Sequence, residues 1–474
     1  MSEHPHPPPT HHVSKETALL VASLASFLTP FMGSSINVAL PSIGGDLGAS
    51  AVLLGWVPTA YLLTSSVLLI PIGRVADIWG RRRVFLGGIV LHTLSSLLCG
   101  VAPTFPVLLA GRVLQGVSAA MISGTGMAVL TTVFPPEERG RALGINTASV
   151  YIGLSLGPTI GGVLTQQLGW RSIFLVNVPL GMVMVLLVMA KMRGEWTEAR
   201  GARFDTLGTA LYCVGLVALM YGFSRLPGME GAMILTVGIV VLLAFIVWET
   251  RAASPILNVM LFRQNRVFAL SNLAAFINYG ATYSISFLMG LYLMNVRGFS
   301  PQQAGLVLLA QPIVMAIGSP FAGRLSDRVE PRYVSSGGMA LIVVGLAYFT
   351  ILSETVPIPV LVGVLAVVGL GFALFSSPNS NAVMGSVERK MYGVAAGTLA
   401  TMRMTGQTVS IGVAMMIFAI VIGPVPMSPA IHAELLVAVR MAFGVSAALC
   451  FCGVFASLAR GNARPRDSRP PTGA

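Results

Sequence analysis

The segment Gly73-Arg74-Val75-Ala76-Asp77-Ile78-Trp79-Gly80-Arg81-Arg82-Arg83 directly follows an apolar run at residues 51–72. A shorter copy, Gly323-Arg324-Leu325-Ser326-Asp327, follows another apolar run in the second part of the chain. Each copy, which we call the signature segment, is predicted as a loop that begins with glycine and arginine, contains aspartate and follows a stretch long enough to cross a membrane. The repetition indicates that the chain contains a duplicated helical unit.

The composition places the chain in a lipid bilayer. Of its 474 residues, 55% are hydrophobic and only 10% are charged, and the mean hydropathy is +0.81, so polar side chains are too few to cover a water-soluble globule. Apolar runs of roughly 20 residues recur along the chain, without the alternation of a membrane barrel. The predicted fold is an all-α polytopic membrane protein with about fourteen transmembrane helices, at residues 18–40, 51–72, 84–103, 106–130, 141–165, 171–191, 205–223, 231–250, 267–294, 301–322, 333–353, 357–380, 392–421 and 434–458.

The two copies of the motif predict the domain organisation. If each copy follows the second helix of a six-helix bundle, two extra helices lie between the bundles, and parallel repeats of this kind hold a binding site between them. The predicted units are a disordered tail (1–17), an N-terminal bundle (18–191), a linker with two transmembrane helices (192–262), a C-terminal bundle (263–458) and a second tail (459–474).

The basic residues indicate topology rather than nucleic-acid binding. The net charge is +12, but arginines and lysines form short clusters between the apolar runs. A cytoplasmic N-terminus puts nearly all of them inside and leaves Arg171, Arg225 and Arg297 outside, in agreement with the positive-inside rule. Both termini are then cytoplasmic.

The histidines and cysteines give little sign of a cofactor. His4, His6, His11 and His12 could hold a metal, but the prolines among them and the lack of a neighbouring Cys or acidic ligand favour a mobile tail. The four cysteines lie in apolar runs and are interpreted as core residues without disulfide or metal spacing: Cys99, Cys213, Cys450 and Cys452. No cofactor is expected.

Three further motifs complete a family resemblance. Arg112-Val113-Leu114-Gln115-Gly116 lies in predicted helix 4, Gly153-Leu154-Ser155-Leu156-Gly157-Pro158-Thr159-Ile160-Gly161-Gly162 lies in helix 5, and Trp170-Arg171-Ser172-Ile173-Phe174 with Asn177-Val178-Pro179 lies at helix 6. Together with the repeated segment and Arg403, they resemble the major facilitator superfamily, in particular its fourteen-helix drug:proton antiporter branch. The resemblance covers the whole membrane region and implies alternating access between two bundles.

The resemblance implies gating or coupling roles for Asp77, Arg81, Arg112, Gly157, Pro158 and Asp327. Asp77 could cap a helix or pair across the bundles as a latch, and the alternative is an ordinary solvated loop. Gly153, Gly157 and Gly161 recur every fourth residue, so one face of helix 5 allows another helix backbone to approach closely. Ordinary small-residue packing explains these glycines equally well.

Two arginines are predicted within the membrane, where an unpaired charge costs at least a few kcal/mol. Arg112 shares a helical face with Gln115, and Arg403 shares one with Gln407, so both faces are predicted to border a central cavity. A purely structural role remains the alternative for each. The predicted cavity is largely apolar with scattered polar groups and suits amphipathic molecules; its residues are Ser34, Asn37, Tyr61, Gln115, Asn278, Tyr279, Gln311, Asn379, Asn381, Arg403 and Gln407. Each of these could instead satisfy a neighbouring helix.

One feature departs from the resembled branch, whose members carry an acidic residue in helix 1 shortly before the Asn-Val-Ala-Leu-Pro stretch. Here that stretch begins at Asn37 and the matching position is Met32. Asp46 is predicted in the first outer loop, and no carboxylate falls at the middle of a predicted helix. An anionic or neutral substrate therefore fits better than a lipophilic cation. Proton transfer would need Asp77, Glu434 or His92.

The sequence thus predicts a monomeric secondary-active transporter in a bacterial or archaeal cytoplasmic membrane, exporting small amphipathic molecules in exchange for protons. A uniporter or proton symporter that imports a neutral or anionic metabolite is the alternative. A membrane enzyme or sensor is disfavoured, because the sequence contains no phosphate-binding loop, no metal-ligand cluster and no nucleophile paired with a base. The expected partners are the small-molecule substrate, protons and lipid, without nucleic acid.

Overall fold

Long helices make up most of the protein, together with a short helix at Val259–Gln264 and a π-helical turn at Tyr292–Val296, which are left out of the numbering below. The computed structural model describes residues 14–134, 136–192, 194–195, 197, 204–226, 228–252, 255–257, 259–387, 392–423 and 431–461. Numbered in chain order, the helices are α1 (Lys15–Leu47), α2 (Ala51–Trp79), α3 (Arg81–Gly100), α4 (Phe105–Val133), α5 (Pro136–Leu168), α6 (Arg171–Leu175 continued by Asn177–Lys191), α7 (Thr206–Arg225), α8 (Met229–Glu249), α9 (Arg266–Thr282 continued by Ser284–Leu291), α10 (Pro301–Leu308 continued by Ala310–Arg328), α11 (Pro331–Phe349), α12 (Ile358–Gly385), α13 (Tyr392–Val421) and α14 (His432–Ala459).

A helix covers each of the fourteen predicted spans, and the all-helical membrane architecture is confirmed. Twelve helices within the described ranges are long and apolar enough to cross a bilayer. The helices Pro136–Leu168 and Arg266–Thr282 are not among them, so the number of fourteen crossings stays a prediction. Helices suit this environment because they satisfy every backbone hydrogen bond within one segment.

Successive helices run in opposite directions, so the molecule has two ends. We call them the Asp77 end, which holds the turn between α2 and α3, and the Asp46 end, which holds the turn between α1 and α2. Helices α1–α6 form the N-half and α9–α14 the C-half. Helix α1 begins at Lys15, so the predicted tail boundary at residue 17 is slightly late. Residues 1–13, with the four tail histidines, lie outside the described part of the chain.

The N-half is built around close packing of α1 against α5. A Cβ on Gly161 would lie 2.6 Å from Ser35 Cβ, and a Cβ on Gly157 would lie 2.9 Å from the carbonyl oxygen of Phe31. Ser35 Oγ donates a hydrogen bond of 2.9 Å to the Gly157 carbonyl. The close approach predicted from the spacing of these glycines is therefore confirmed, since two helix backbones meet where a side chain would not fit.

The inserted hairpin of α7 and α8 packs against both halves. The Tyr212 hydroxyl donates to the Ser66 carbonyl of α2 at 3.2 Å, and Met220 packs against Gly412 of α13. Helix α8 packs on α7 and presents many exposed apolar side chains, as expected of a helix bordered by lipid. Its terminal Trp248 donates to Asp205, the N-cap residue of α7.

The signature segment differs from its prediction as a loop. Residues Gly73–Trp79 continue α2, and Gly323–Arg328 likewise continue α10. The turn itself is the single residue Gly80, whose φ of +120° is a conformation that favours glycine. The helices thus extend beyond the apolar runs, so a polar stretch here is the end of a helix and not a loop.

Asp46 was predicted in a loop, and the structure corrects this. It lies in the last turn of α1, where its carboxylate accepts 2.6 Å from Arg171 Nη1 and 3.1 Å from Trp170 Nε1. These bonds tie α1 to the start of α6 within the N-half. Of the four cysteines predicted as core residues, Cys99 and Cys450 are buried and Cys213 is partly buried, whereas Cys452 is exposed, which corrects the prediction for that residue.

The two halves meet along several helix pairs. Near the Asp46 end, a Cβ on Gly162 of α5 would lie 2.5 Å from the Pro301 carbonyl of α10, and one on Gly55 of α2 would lie 2.5 Å from Met415 Cγ of α13. Closer to the middle, Ser66 Oγ is 3.5 Å from Thr408 Oγ1. These contacts join the halves from the middle of the helices to the Asp46 end.

Candidate functional site

Arg112 of α4 lies completely buried at the centre of the N-half. Its Nε donates 2.9 Å to the Val57 carbonyl of α2, and Nη1 donates 2.7 Å to Gln115 Oε1. Gln115 in turn donates 2.8 Å to Ser96 of α3. These side chains contact α2 and α3, and the part of Arg112 and Gln115 in a central cavity stays a prediction.

Tyr61 of α2 lies against this arginine. The guanidinium carbon lies 4.5 Å from the centre of the Tyr61 ring, in cation–π geometry. From α9 of the C-half, the Tyr283 hydroxyl lies 3.6 Å from the position of a Cβ on Gly33 of α1. One tyrosine therefore contacts Arg112, and a second, from the other half, reaches α1.

No carboxylate of the N-half accompanies this cation within the described helices. Met32, at the position where the resembled branch has an acid, is fully buried in the apolar core. His92, a predicted proton carrier, is buried on α3 with Nδ1 3.1 Å from Ser118 Oγ. Ser118 donates to the Gln115 carbonyl, so one polar network runs from His92 to Arg112.

Arg403 of α13 lies eleven residues from the nearer end of its helix, and it is only partly buried. Its Nη2 donates 2.5 Å to Ser380 Oγ of α12. The guanidinium carbon lies 5.5 Å from the centre of the Tyr279 ring, which itself packs edge-on against Phe372 at 5.2 Å. Arg403 is thus bordered by an aromatic pair and a hydroxyl, an arrangement that suits an amphipathic ligand.

The other predicted cavity residues fall into two groups. Ser34, Asn37, Asn278 and Asn379 are buried, whereas Tyr279, Gln311 and Gln407 are partly exposed and Asn381 is exposed. Ser34 donates to the Pro30 carbonyl of its own helix, and Asn381 donates 3.0 Å to Ser326 of α10. Their roles in substrate binding stay predictions.

Asp77 and Arg81 pair with each other at the Asp77 end. Arg81 Nη2 lies 2.9 Å from Asp77 Oδ1, across the Gly80 turn. The side chain of Asp327, its predicted counterpart, lies outside the described part of the structure. The latch between bundles therefore stays a prediction, and the observed ion pair is local to the N-half.

Sequence reasoning missed Glu195, which follows α6. Its carboxylate accepts 2.8 Å from the Arg82 backbone N–H and lies 3.4 Å from Arg83 Nε. It therefore caps the first turn of α3, where the helix dipole favours a negative charge. A lone glutamate in a polar linker carries no sequence signal for this contact.

Sequence reasoning also missed Arg460, which was assigned to the C-terminal tail. Only 1% of Arg460 is exposed. It donates 2.8 Å to Asn379 Oδ1, 2.6 Å to the Pro331 carbonyl and 3.3 Å to Ser271 Oγ. Burial lowers the pKa of its guanidinium to about 10, so it stays charged at neutral pH. It fastens the end of α14 to α9, α11 and α12.

We expect Arg460→Ala to destabilise the protein by about 2–3 kcal/mol, because it leaves the buried Asn379 and Pro331 oxygens without a charged donor. The melting temperature of the purified protein in detergent measures the loss. Arg328→Ala, which removes an exposed arginine at the same end, serves as the control and should leave the melting temperature nearly unchanged. Equal melting temperatures for the two variants would contradict the assigned role.

Comparisons with known proteins identify the relatives of this chain. The profile of the Major Facilitator Superfamily matches residues 22–411 and 271–474. The multidrug resistance protein Stp of Mycobacterium tuberculosis (strain CDC 1551 / Oshkosh) is 34% identical over 83% of this chain and 74% of its own. The cephamycin export protein CmcT of Amycolatopsis lactamdurans is 36% identical over 82% of each chain, and the riboflavin transporter RibZ of Clostridioides difficile is 29% identical over 82% of this chain and 85% of its own.

A solved structure has the same fold. A bacterial homologue of the human lysosomal transporter Spinster superposes with a TM-score of 0.68, covering 94% of this chain and 96% of its own. Its sequence identity is 16%, so the similarity concerns the fold alone.

Proposed function

Because the chain belongs to the major facilitator superfamily, we propose that it is a secondary-active exporter that exchanges small amphipathic molecules for protons. The observation that carries the proposal is the joint between the halves at the Asp46 end, where glycines of α5 and α10 bring two backbones together. A contact of this kind can separate as a whole when two rigid halves rotate about a central site. The relatives named for multidrug resistance and cephamycin export support the direction of transport.

We assign the Asp77 end to the cytoplasm of a bacterial cell, with the protein acting as a monomer in the cytoplasmic membrane. The basis is the positive-inside rule, since the Asp77 end carries the arginine clusters around Arg81 and Arg324. In the described state the two halves are in contact at the Asp46 end, so substrate would enter from the cytoplasmic side. Asp77, Arg81, Gly157, Pro158 and Asp327 would then act in gating.

The test is dye transport by the purified protein in liposomes under an imposed pH gradient, with an internal pH indicator as the second signal. We expect substrate and proton fluxes in opposite directions, because an exchanger must couple the two. Protein-free liposomes and liposomes without the gradient are the controls. Substrate movement without any proton movement would contradict proton exchange.

A proton symporter or uniporter that imports a metabolite is the second candidate. It is favoured by Met32, which replaces the helix 1 carboxylate of the resembled exporters, and by the relative named as a riboflavin transporter. In the same liposomes, fluxes of substrate and protons in one direction would identify the symporter.

A further inference from the structure

In the described helices, the charges away from the helix ends are positive. Every acidic residue of these helices lies within the first or last three residues of its helix. Arg112, Arg440 and Arg403 lie deeper, seven, eight and eleven residues from the nearer end of their helices. Arg440 donates to the Leu352 carbonyl at 2.5 Å. Each arginine therefore lacks a carboxylate at its own depth.

Within the described part of the chain, Arg112 and Arg403 donate hydrogen bonds to neutral groups. Arg112 donates to a carbonyl and an amide oxygen, and Arg403 donates to a serine hydroxyl. Arg112 Nη2 and Arg403 Nε are buried and have no hydrogen-bond partner among the described residues. A buried cation without a counter-ion is costly, and an anion that reaches it recovers that cost.

Arg403 is the more accessible of the two cations. Tyr279 of α9 lies under Arg403. Arg403 is partly exposed, whereas Arg112 is fully buried. Arg403 is therefore the cation that a ligand can reach.

We propose that the transported molecules are aromatic organic anions, whose carboxylate or sulfonate binds Arg403 and whose ring lies against Tyr279 and Phe372. An arginine guanidinium presents a planar fork that matches a carboxylate, and Arg403 Nε has no hydrogen-bond partner among the described residues. The assignment of a substrate class rests on the proposed function, but the binding site can be tested without transport.

The experiment measures dye binding to the purified full-length protein in detergent by equilibrium dialysis. Fluorescein is the anionic dye, and rhodamine 123 is a cationic dye with the same ring system. An uncharged fluorescein ester is the neutral reference. We expect fluorescein to bind at least about tenfold more tightly than rhodamine 123, since only the anion can accept charge-assisted hydrogen bonds from Arg403.

Two substitutions test the contact. Arg403→Gln should weaken fluorescein binding by about tenfold to a hundredfold and leave the neutral ester within about twofold. Arg403→Lys keeps the charge without the planar fork and should give an intermediate affinity. Arg225→Gln removes one exposed arginine at the Asp46 end and should leave all three affinities unchanged.

Several results would overturn the proposal: rhodamine 123 binding as tightly as fluorescein, fluorescein affinity unchanged in Arg403→Gln while the protein elutes as a single folded species, or no measurable binding of fluorescein. The export proposal is tested separately. Anion-selective binding without any movement of fluorescein under a pH gradient would contradict export but support the anion site. Gradient-driven export of rhodamine 123 alone would support export but contradict the anion site.

Discussion

Gly157→Val is expected to leave little folded protein, and Gly157→Ala is expected to destabilise the N-half by about 1–3 kcal/mol. A Cβ at this position would overlap Ser34 Oγ and lie 2.9 Å from the Phe31 carbonyl oxygen, a backbone atom that cannot turn aside. Helix α1 would have to move away from α5, which also breaks the hydrogen bond from Ser35 to Gly157. The yield of monodisperse protein in size-exclusion chromatography and its melting temperature measure the effect.

Gly363→Val is the matched control, because a Cβ on Gly363 of α12 meets nothing within 4 Å. A second variant tests the cause. Ser34→Gly in the Gly157→Ala protein removes the overlapping side chain and should recover part of the lost stability, although the Phe31 carbonyl remains. If Gly157→Val were as stable as Gly363→Val, the close contact between α1 and α5 would not exist in the membrane.

The helices and this glycine contact could be predicted from sequence because both depend on local periodicity. An apolar run must satisfy its backbone hydrogen bonds within itself, so hydropathy indicates helices directly. Glycines at every fourth residue share a face, whatever that face contacts. In contrast, the signature segment at Gly73 was predicted as a loop because its polarity ends the apolar run, and only the backbone reveals that α2 continues to Trp79.

The surroundings of the arginines could not be predicted in the same way. A helical pattern gives the face on which Arg112 lies but not the helices that this face contacts, which the structure shows to be α2 and α3. The sequence that follows Arg460 is polar, as in a terminal tail. The burial of Arg460 nevertheless depends on oxygens from three distant helices. Long-range contacts of single side chains leave no trace in a single sequence.

Gly305→Val is expected to shift the equilibrium between the two access states without unfolding either half. Gly305 of α10 lies against the Pro158 carbonyl of α5, and a Cβ there would overlap the oxygen and lie 2.8 Å from the carbonyl carbon. These two residues belong to different halves, so the halves can separate at the Asp46 end and relieve the overlap. Overpacking of about 1–3 kcal/mol changes the ratio of the two states by roughly 5- to 150-fold.

A cysteine pair across the same end measures the shift. With the four native cysteines replaced by alanine, Gly55→Cys and Met415→Cys should form a disulfide readily, since a Cβ on Gly55 lies 2.5 Å from Met415 Cγ. Adding Gly305→Val should slow this cross-link by at least about fivefold, and adding Gly337→Val, where a Cβ meets nothing within 4 Å, should not. Transport should fall together with the cross-link, because a carrier that cannot close its Asp46 end cannot complete the cycle. An unchanged cross-linking rate in a folded Gly305→Val protein would contradict a joint at Pro158, and the opening of this end would then have to depend on other contacts between the halves.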